Sequence, residues 1–430
     1  MSKFTSAAIA AFMLSSSTYA FAQVADRSYY GSATVSSPSA GEFFVRNRYT
    51  AANARSYPGL DPVPVRLGAF EATPVLLLSS RTRSNVFLTD MNEQSDTLIV
   101  IEPSVSMAST WSRHRIGFDA AVEHEEYFDL SNQSATQYGV RGFGELDVSS
   151  NFAIAGSVTH QNQREDRLSI GGLSGLAAER VEFERTNSEA NALYATDRLR
   201  LRGRVSVTDL DFSDTTSPTG FPLDQDFRDH ELVRAAVSAE YAVTRDWAIV
   251  GSVETEDREY DAIGSNRDIS GITYRAGANF ELPVNLRGQV TAQFQDFDPE
   301  DPTLNNIEQT GLDASVQWFP TELTTATFTA SQSVADAGNT ADSNVVVSRY
   351  GVGIDHELLR TLVLSSRLYF ENREFNPSNR EDDQTVFNVG ANWKLNPNVQ
   401  IRGGYRFATQ DSVVNPFDDH SVTIAIRFFP

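Results

Sequence analysis

Residues 391–406 read ANWKLNPNVQIRGGYR, and this stretch decides the fold. One alternating run ends at Asn396-Pro397-Asn398 and a second begins at Val399. One face of the second run carries Val399, Ile401, Gly403, Tyr405 and Phe407; the other carries Gln400, Arg402, Gly404 and Arg406. Period two marks a strand with two unlike faces. Asn and Pro close tight turns through local hydrogen bonds and a fixed φ. The unit recurs at residues 239–252 (AEYAVTRDWAIVGS), 279–293 (NFELPVNLRGQVTAQ) and 316–329 (VQWFPTELTTATFT). Strand, tight turn, strand and longer loop, repeated, is the sequence form of a transmembrane β-barrel. Such a sheet crosses a membrane by closing on itself, so that every backbone group is paired.

Tight turns are expected at Trp111-Ser112-Arg113-His114 and near residues 149–151, 196–198, 244–246, 282–284, 320–322, 358–361 and 396–398. Strand pairs around these turns, with an initial and a final strand, predict a single antiparallel up-and-down barrel of about 18 strands (range about 16–18) over residues 69–430. The first strand is expected at residues 75–88 and the second at 97–109. Short turns belong on the periplasmic side and longer loops outside. The expected outer loops are acidic: residues 209–229, 295–310 and 371–384. Trp111, Tyr241, Trp247, Phe280, Trp318, Phe319, Tyr369, Phe370 and Trp393 sit near strand ends, where interfacial girdles form.

The N-terminus agrees with export. Lys3, the apolar run at residues 7–14 and Ala20-Phe21-Ala22 read as a signal peptide over residues 1–22, too short for an anchor. Residues 23–68 do not alternate and hold several Pro and Gly, which predicts a partly disordered periplasmic or lumenal segment. The chain has no cysteine, which excludes a disulfide framework and a lipoprotein acylation site. A hydrophobic fraction of 40% in 430 residues suits a barrel that needs only one apolar face per strand. A net charge of −22 argues against a nucleic-acid partner. The expected destination is the outer membrane of a diderm bacterium, with lipid, lipopolysaccharide and the barrel-assembly machinery as partners.

Arg198, Arg200, Arg202 and Arg204 recur at period two and are expected to share the lumenal face, because an arginine facing mid-bilayer costs about 2–4 kcal/mol. They could guide an anionic solute or polymer. The plainer reading is a structural lattice with Glu182, Glu184 or Glu240. Arg287, Gln289, Gln293, Arg402 and Arg406 complete the expected pore lining and could hydrogen-bond sugar hydroxyls. No catalytic residue, metal site or cofactor is expected. His230, His356 and His420 each follow an Asp, but neighbours on a strand point to opposite faces and form no dyad. Acidic loops could hold Ca²⁺, though solvated loops are the plainer reading. Val422, Ile424, Ile426 and Phe428 alternate along the last strand and are the expected insertion signal.

Several short motifs resemble the family called putative β-barrel porin 2, over roughly residues 66–429. They are Arg66-Leu67-Gly68-Ala69-Phe70, Arg83-Ser84-Asn85-Val86-Phe87, Asp96-Thr97-Leu98-Ile99 with Glu102-Pro103-Ser104, the Trp111 turn, and Glu179-Arg180-Val181-Glu182. The resemblance implies a non-enzymatic conduit or accessory barrel for exopolysaccharide or capsule export, and an export complex as partner. Two alternatives stay open. A general diffusion porin predicts flux of small sugars. A closed structural or adhesin barrel predicts a lumen filled with paired charges.

Overall fold

A computed structural model describes residues 48–171, 173, 176–262, 266–339 and 341–430. The expected signal peptide and residues 23–47 lie outside the described residues. Among the described residues no helix is long and apolar enough to cross a membrane.

Eighteen antiparallel strands close into one barrel. In chain order they are β1 Phe70–Arg83, β2 Asp96–Ser109, β3 Arg115–Tyr127, β4 Ala135–Asp147, β5 Phe152–Arg164, β6 Glu182–Ala195, β7 Leu199–Phe212, β8 His230–Ala242 and β9 Trp247–Tyr260. There follow β10 Ile269–Leu282, β11 Leu286–Pro299, β12 Ile307–Thr321, β13 Thr324–Asp336, β14 Asn344–Leu359, β15 Leu362–Asn376, β16 Glu381–Asn396, β17 Val399–Ser412 and β18 Phe417–Phe428. Each strand pairs with the next, and β18 returns to β1 from Leu76↔Phe428 to Arg83↔Ser421. The closure gives every strand two neighbours, and the most incomplete ladder is that between β12 and β13, which ends at Ala314↔Ala330.

Turn chemistry sets one rim. The short connections fall within a residue or two of their expected places, for example residues 196–198, 322–323 and 397–398. Asn285 ends the Pro283-Val284-Asn285 turn at φ 62°, a left-handed conformation that Asn tolerates. All four tryptophans, Trp111, Trp247, Trp318 and Trp393, point outward at this rim and are 44–48% exposed. Phe280 packs beneath Trp247, with ring centroids 5.3 Å apart. Phe319 and Tyr369, expected in the girdle, belong to the inner parity instead: Phe319 is buried, and Tyr369 flanks the inward Gly351.

Three further expectations shift. The first strand spans Phe70–Arg83 rather than residues 75–88, because Val86 and Leu88 turn inward and bury completely. A short strand, Val65–Leu67, pairs back onto its start. Most of the expected loop acid is strand: Asp209 and Asp211 belong to β7, Asp296 and Asp298 to β11, Glu371 and Glu374 to β15, and Glu381, Asp382 and Asp383 to β16. Only residues 377–380 join β15 to β16, whereas residues 165–181 and 213–229 form the long connections.

Candidate functional site: the lumen and its closures

Alternation sends one side chain in two into the barrel. On β7 the inward set is Arg200, Arg202 and Arg204, while Leu201 and Val205 face outward and are exposed. Arg198 lies exposed in the turn before β7, so the ladder has three rungs rather than four. Glu240 is buried on β8 directly opposite Arg200. Glu182 and Glu184 cannot join that lattice. They occupy the outward parity of β6 near the other rim, and Glu182 binds Arg164 at 2.6 Å. Arg202 and Arg204 face a recess of about 60 Å³ shared with Glu254, Arg275 and Asp313.

The remaining expected lining residues also take the inward parity. Gln289 is buried. Arg287 and Gln293 hold inserted chain rather than standing free. Arg287 donates to the Gln317 side chain at 2.5 Å and to the Tyr49 carbonyl at 3.1 Å. Gln293 donates to the Gln332 carbonyl at 2.9 Å. Arg402 and Arg406 lie on the inner face of β17.

Among the described residues three pieces of the chain enter this interior; the first lies within residues 23–68, the expected periplasmic or lumenal segment, and the other two have no counterpart among the expectations. The first is a strap over residues 48–62 across the short-turn rim. The Arg48 amide donates to Glu281 at 2.7 Å, the Ala52 amide to Thr325 at 2.9 Å and the Tyr57 hydroxyl to Glu357 at 2.5 Å. Lys394 closes the far end on Asp61 at 2.7 Å. Tyr49 stacks on Phe319 at 4.9 Å. Its anchors therefore run along the inner wall from β10 to β16. Burial alone would raise the Asp61 carboxyl, but Lys394, Ser56 and the Tyr57 amide outweigh it and hold it below the usual carboxylate range.

The second insert is the connection of residues 165–181, which leaves β5 and crosses to the opposite wall. Leu168 packs with Leu88, Ala408 and Phe417, and its carbonyl accepts from Arg373 at 2.7 Å. Ile170 packs on Ala337, Val345, Val347 and Phe375. Glu165 takes both terminal nitrogens of Arg228, at 2.6 and 2.9 Å. Burial would raise the Asp166 carboxyl, but Arg406 and Arg83 hold it low.

The third insert is the tip of the β13–β14 hairpin. The β12–β13 ladder stops at Ala314↔Ala330, although β12 continues to Ile307 and β13 to Asp336. Beyond that point the hairpin leans inward. Val334 and Val346, from what would be its outward face, pack on the inward Ile269, Phe297 and Ile307. Val345 and Val347, from the other face, pack on the crossing loop. A strand covered on both faces reads as a continuous apolar run, as Val345-Val346-Val347 does. Asp336 anchors the tip to Tyr260 and, at 2.7 Å, to Arg267. The second and third inserts meet at Gly338, with φ +65°, where an added Cβ would come within 2.5 Å of the Gly171 backbone.

The histidine–aspartate neighbours split as their parity requires. Asp419 turns inward to Arg83 at 2.9 Å, while His420 turns outward to Tyr405 at 2.7 Å. Asp355 faces inward to Arg367, and His356 reaches Thr324 at 2.9 Å. His230 binds the Arg228 carbonyl at 2.6 Å, while Asp229 accepts from the Phe212 amide at 2.7 Å. In the loop of residues 213–229, the exposed carboxylates of Asp214, Asp224 and Asp226 lie within 4.8 Å of one another.

A closed antiparallel barrel with an apolar outer face, a tryptophan rim and a polar interior defines an outer-membrane, porin-like barrel. A family model described as "Putative beta-barrel porin 2" matches residues 57–428, and the chain belongs to that family. No curated protein sequence matches. Among solved structures, the chain is similar to a BenF-like porin from Pseudomonas fluorescens at 12% identity and TM-score 0.46, over 85% of this chain and 100% of that one. It is similar to OccAB4 of Acinetobacter baumannii at 13% identity and TM-score 0.44, over 84% and 98%. It is also similar to the FrpB iron transporter of Neisseria meningitidis at 9% identity and TM-score 0.45. There it covers 79% of this chain and spans only 62% of the transporter's length.

Proposed function

We propose that this barrel is a gated, non-enzymatic passage for a polar solute, with an exported polysaccharide as its cargo. One observation carries the reading. The inner face is largely polar, with apolar clusters where inserted chain seats, and the chain closes it with three inserts held by separable contacts. A strap at one rim and two tips meeting at Gly171 and Gly338 can leave without breaking the eighteen-strand ladder. Within the wall only the far part of the β13–β14 hairpin has to swing for the path to open. Asn, Gln and Arg side chains along the inner face suit sugar hydroxyls, which both donate and accept. The family resemblance supports the polysaccharide cargo, and an export complex on the periplasmic side would be the agent that draws out the strap.

Liposome flux tests this. Protein lacking residues 48–62 and carrying glycine–serine in place of residues 166–178 is expected to pass neutral oligosaccharides that the full chain retains. Retention by both proteins, each shown to be folded by heat-modifiable migration, would favour the closed structural barrel instead.

A further inference from the structure

The crossing loop roofs a partly open cavity of about 310 Å³ lined by β1 and by β3 to β7, with Arg406 of β17 and Ser421 of β18 closing the circle. Its lining is unusually rich in guanidinium groups, among them Arg81, Arg83, Arg180, Arg185 and Arg406. Most of these are already engaged. Arg83 is held by Asp419, through Nε at 3.2 Å and Nη2 at 2.9 Å. Arg180 binds Glu125, and Arg81 approaches the same carboxylate at 4.0 Å. Of the cavity's own acids, Glu165 is taken by Arg228 and Glu123 accepts from Gln137 at 3.2 Å.

Arg406 differs. Its Nε and Nη2 are buried and find no acceptor among the described residues. These two donors form one edge of the guanidinium. It is the edge that Arg349 presents to Glu371 and Arg83 to Asp419 in this same barrel. A planar pair of parallel N–H groups matches a carboxylate or phosphate, taken bidentately. Nε of Arg81 and of Arg180, in the same lining, are buried without an acceptor too. A buried donor left unmatched costs about 1–3 kcal/mol, so a lattice built only for stability gains nothing by keeping this edge open. The loop brings two carboxylates to the cavity, Glu165, which is held by Arg228, and Asp166, which accepts from the Leu168 amide at 3.0 Å.

We propose that this cavity is a binding station for an acidic sugar, whose carboxylate or phosphate docks on the Nε/Nη2 edge of Arg406. The inference rests on the passage proposed above and narrows its cargo to an anionic saccharide. Asp166 shares the lining without accepting from that edge, which leaves the edge to an incoming oxyanion once the loop lifts. The cavity is large enough for one monosaccharide unit.

The test is calorimetric titration of the full chain, folded in detergent, with sodium glucuronate, glucose and inorganic phosphate. Glucuronate is expected to bind and glucose not to bind. Arg406→Gln should weaken glucuronate at least tenfold, whereas Arg198→Gln, in the exposed turn, should leave it unchanged. Competition by phosphate would assign the site to oxyanions at large; its failure would assign it to the sugar carboxylate. Absence of binding by folded protein, equal binding of glucose, or indifference to Arg406→Gln would each overturn the proposal. Liposome flux of neutral sugar separates the two ideas. Binding without flux keeps the station and removes the passage; flux without binding does the reverse.

Discussion

Phe297→Ala should unlatch the hairpin tip. The Phe297 ring sits on β11 in a seat made by Gly271, where a Cβ would lie 2.3 Å from the ring. With Ile269 and Ile307 it receives Val334 and Val346 from the leaning hairpin. Truncating a buried Phe costs about 3–5 kcal/mol where the surroundings cannot collapse. That loss falls on the latched state alone. Once the tip has swung out, Phe297 faces an aqueous lumen and its removal is neutral or favourable. A differential of about 3 kcal/mol at 1.4 kcal/mol per decade shifts the latched–unlatched ratio by about a hundredfold. Single-channel recording reads this as the open fraction of protein lacking the strap. Val237→Ala, on the lipid face of β8, is the control. An unchanged open fraction in folded Phe297→Ala protein would refute the claim that this cluster is the latch.

Three further outcomes follow from the same geometry. Lys394→Met removes the ion pair to Asp61, and limited proteolysis should then cut near residues 55–62 several-fold faster, with the barrel itself still resistant. Val237→Arg, on a position 65% exposed to lipid, should lower stability by about 2–4 kcal/mol, whereas Ser238→Arg on the inner face should be tolerated; denaturant titration in lipid vesicles separates them. Burial pushes the Asp229 carboxyl up to about 6, with Asp211, Asp226 and Asp261 adding to the rise against the Phe212 amide, which lowers it. A carboxyl raised above its unfolded value favours the folded loop while protonated, so the stability it lends is present below about pH 4 and lost as pH rises through 6. Hydrogen-exchange protection in residues 213–229, taken relative to the intrinsic rate at each pH, should therefore fall between pH 4 and 7, and Asp229→Asn should flatten that fall.

The wall of this barrel is legible in the sequence because lipid imposes one rule on every strand. Val399, Ile401, Tyr405 and Phe407 face out wherever they fall along β17, and Asn-Pro-Asn closes the turn before them. The interior obeys no such rule. Arg287 and Gln293 were recognisable as inward residues, but nothing in their spacing says that they hold Tyr49 and Gln332. Their partners come from segments far away in the chain. Arg198 misled because the period-two pattern runs one residue past the end of the ladder into the turn. Acidic residues at the outer strand ends resembled loop because both are wet and charged. One signal for the inserts was present, the unbroken Val345-Val346-Val347 in an otherwise alternating chain. Leu168 and Ile170, apolar within a polar loop, were a second.

The central claim is that this is a passage closed by its own chain. Planar-bilayer conductance tests it directly, with the full chain and a variant lacking residues 48–62, bearing Phe297→Ala and carrying glycine–serine in place of residues 166–178 compared at equal folded amounts. The account predicts rare, brief openings from the full chain and long, steady steps from the variant. Steady steps of the same size from the full chain would contradict it, because the strap and the latched tip would then close nothing.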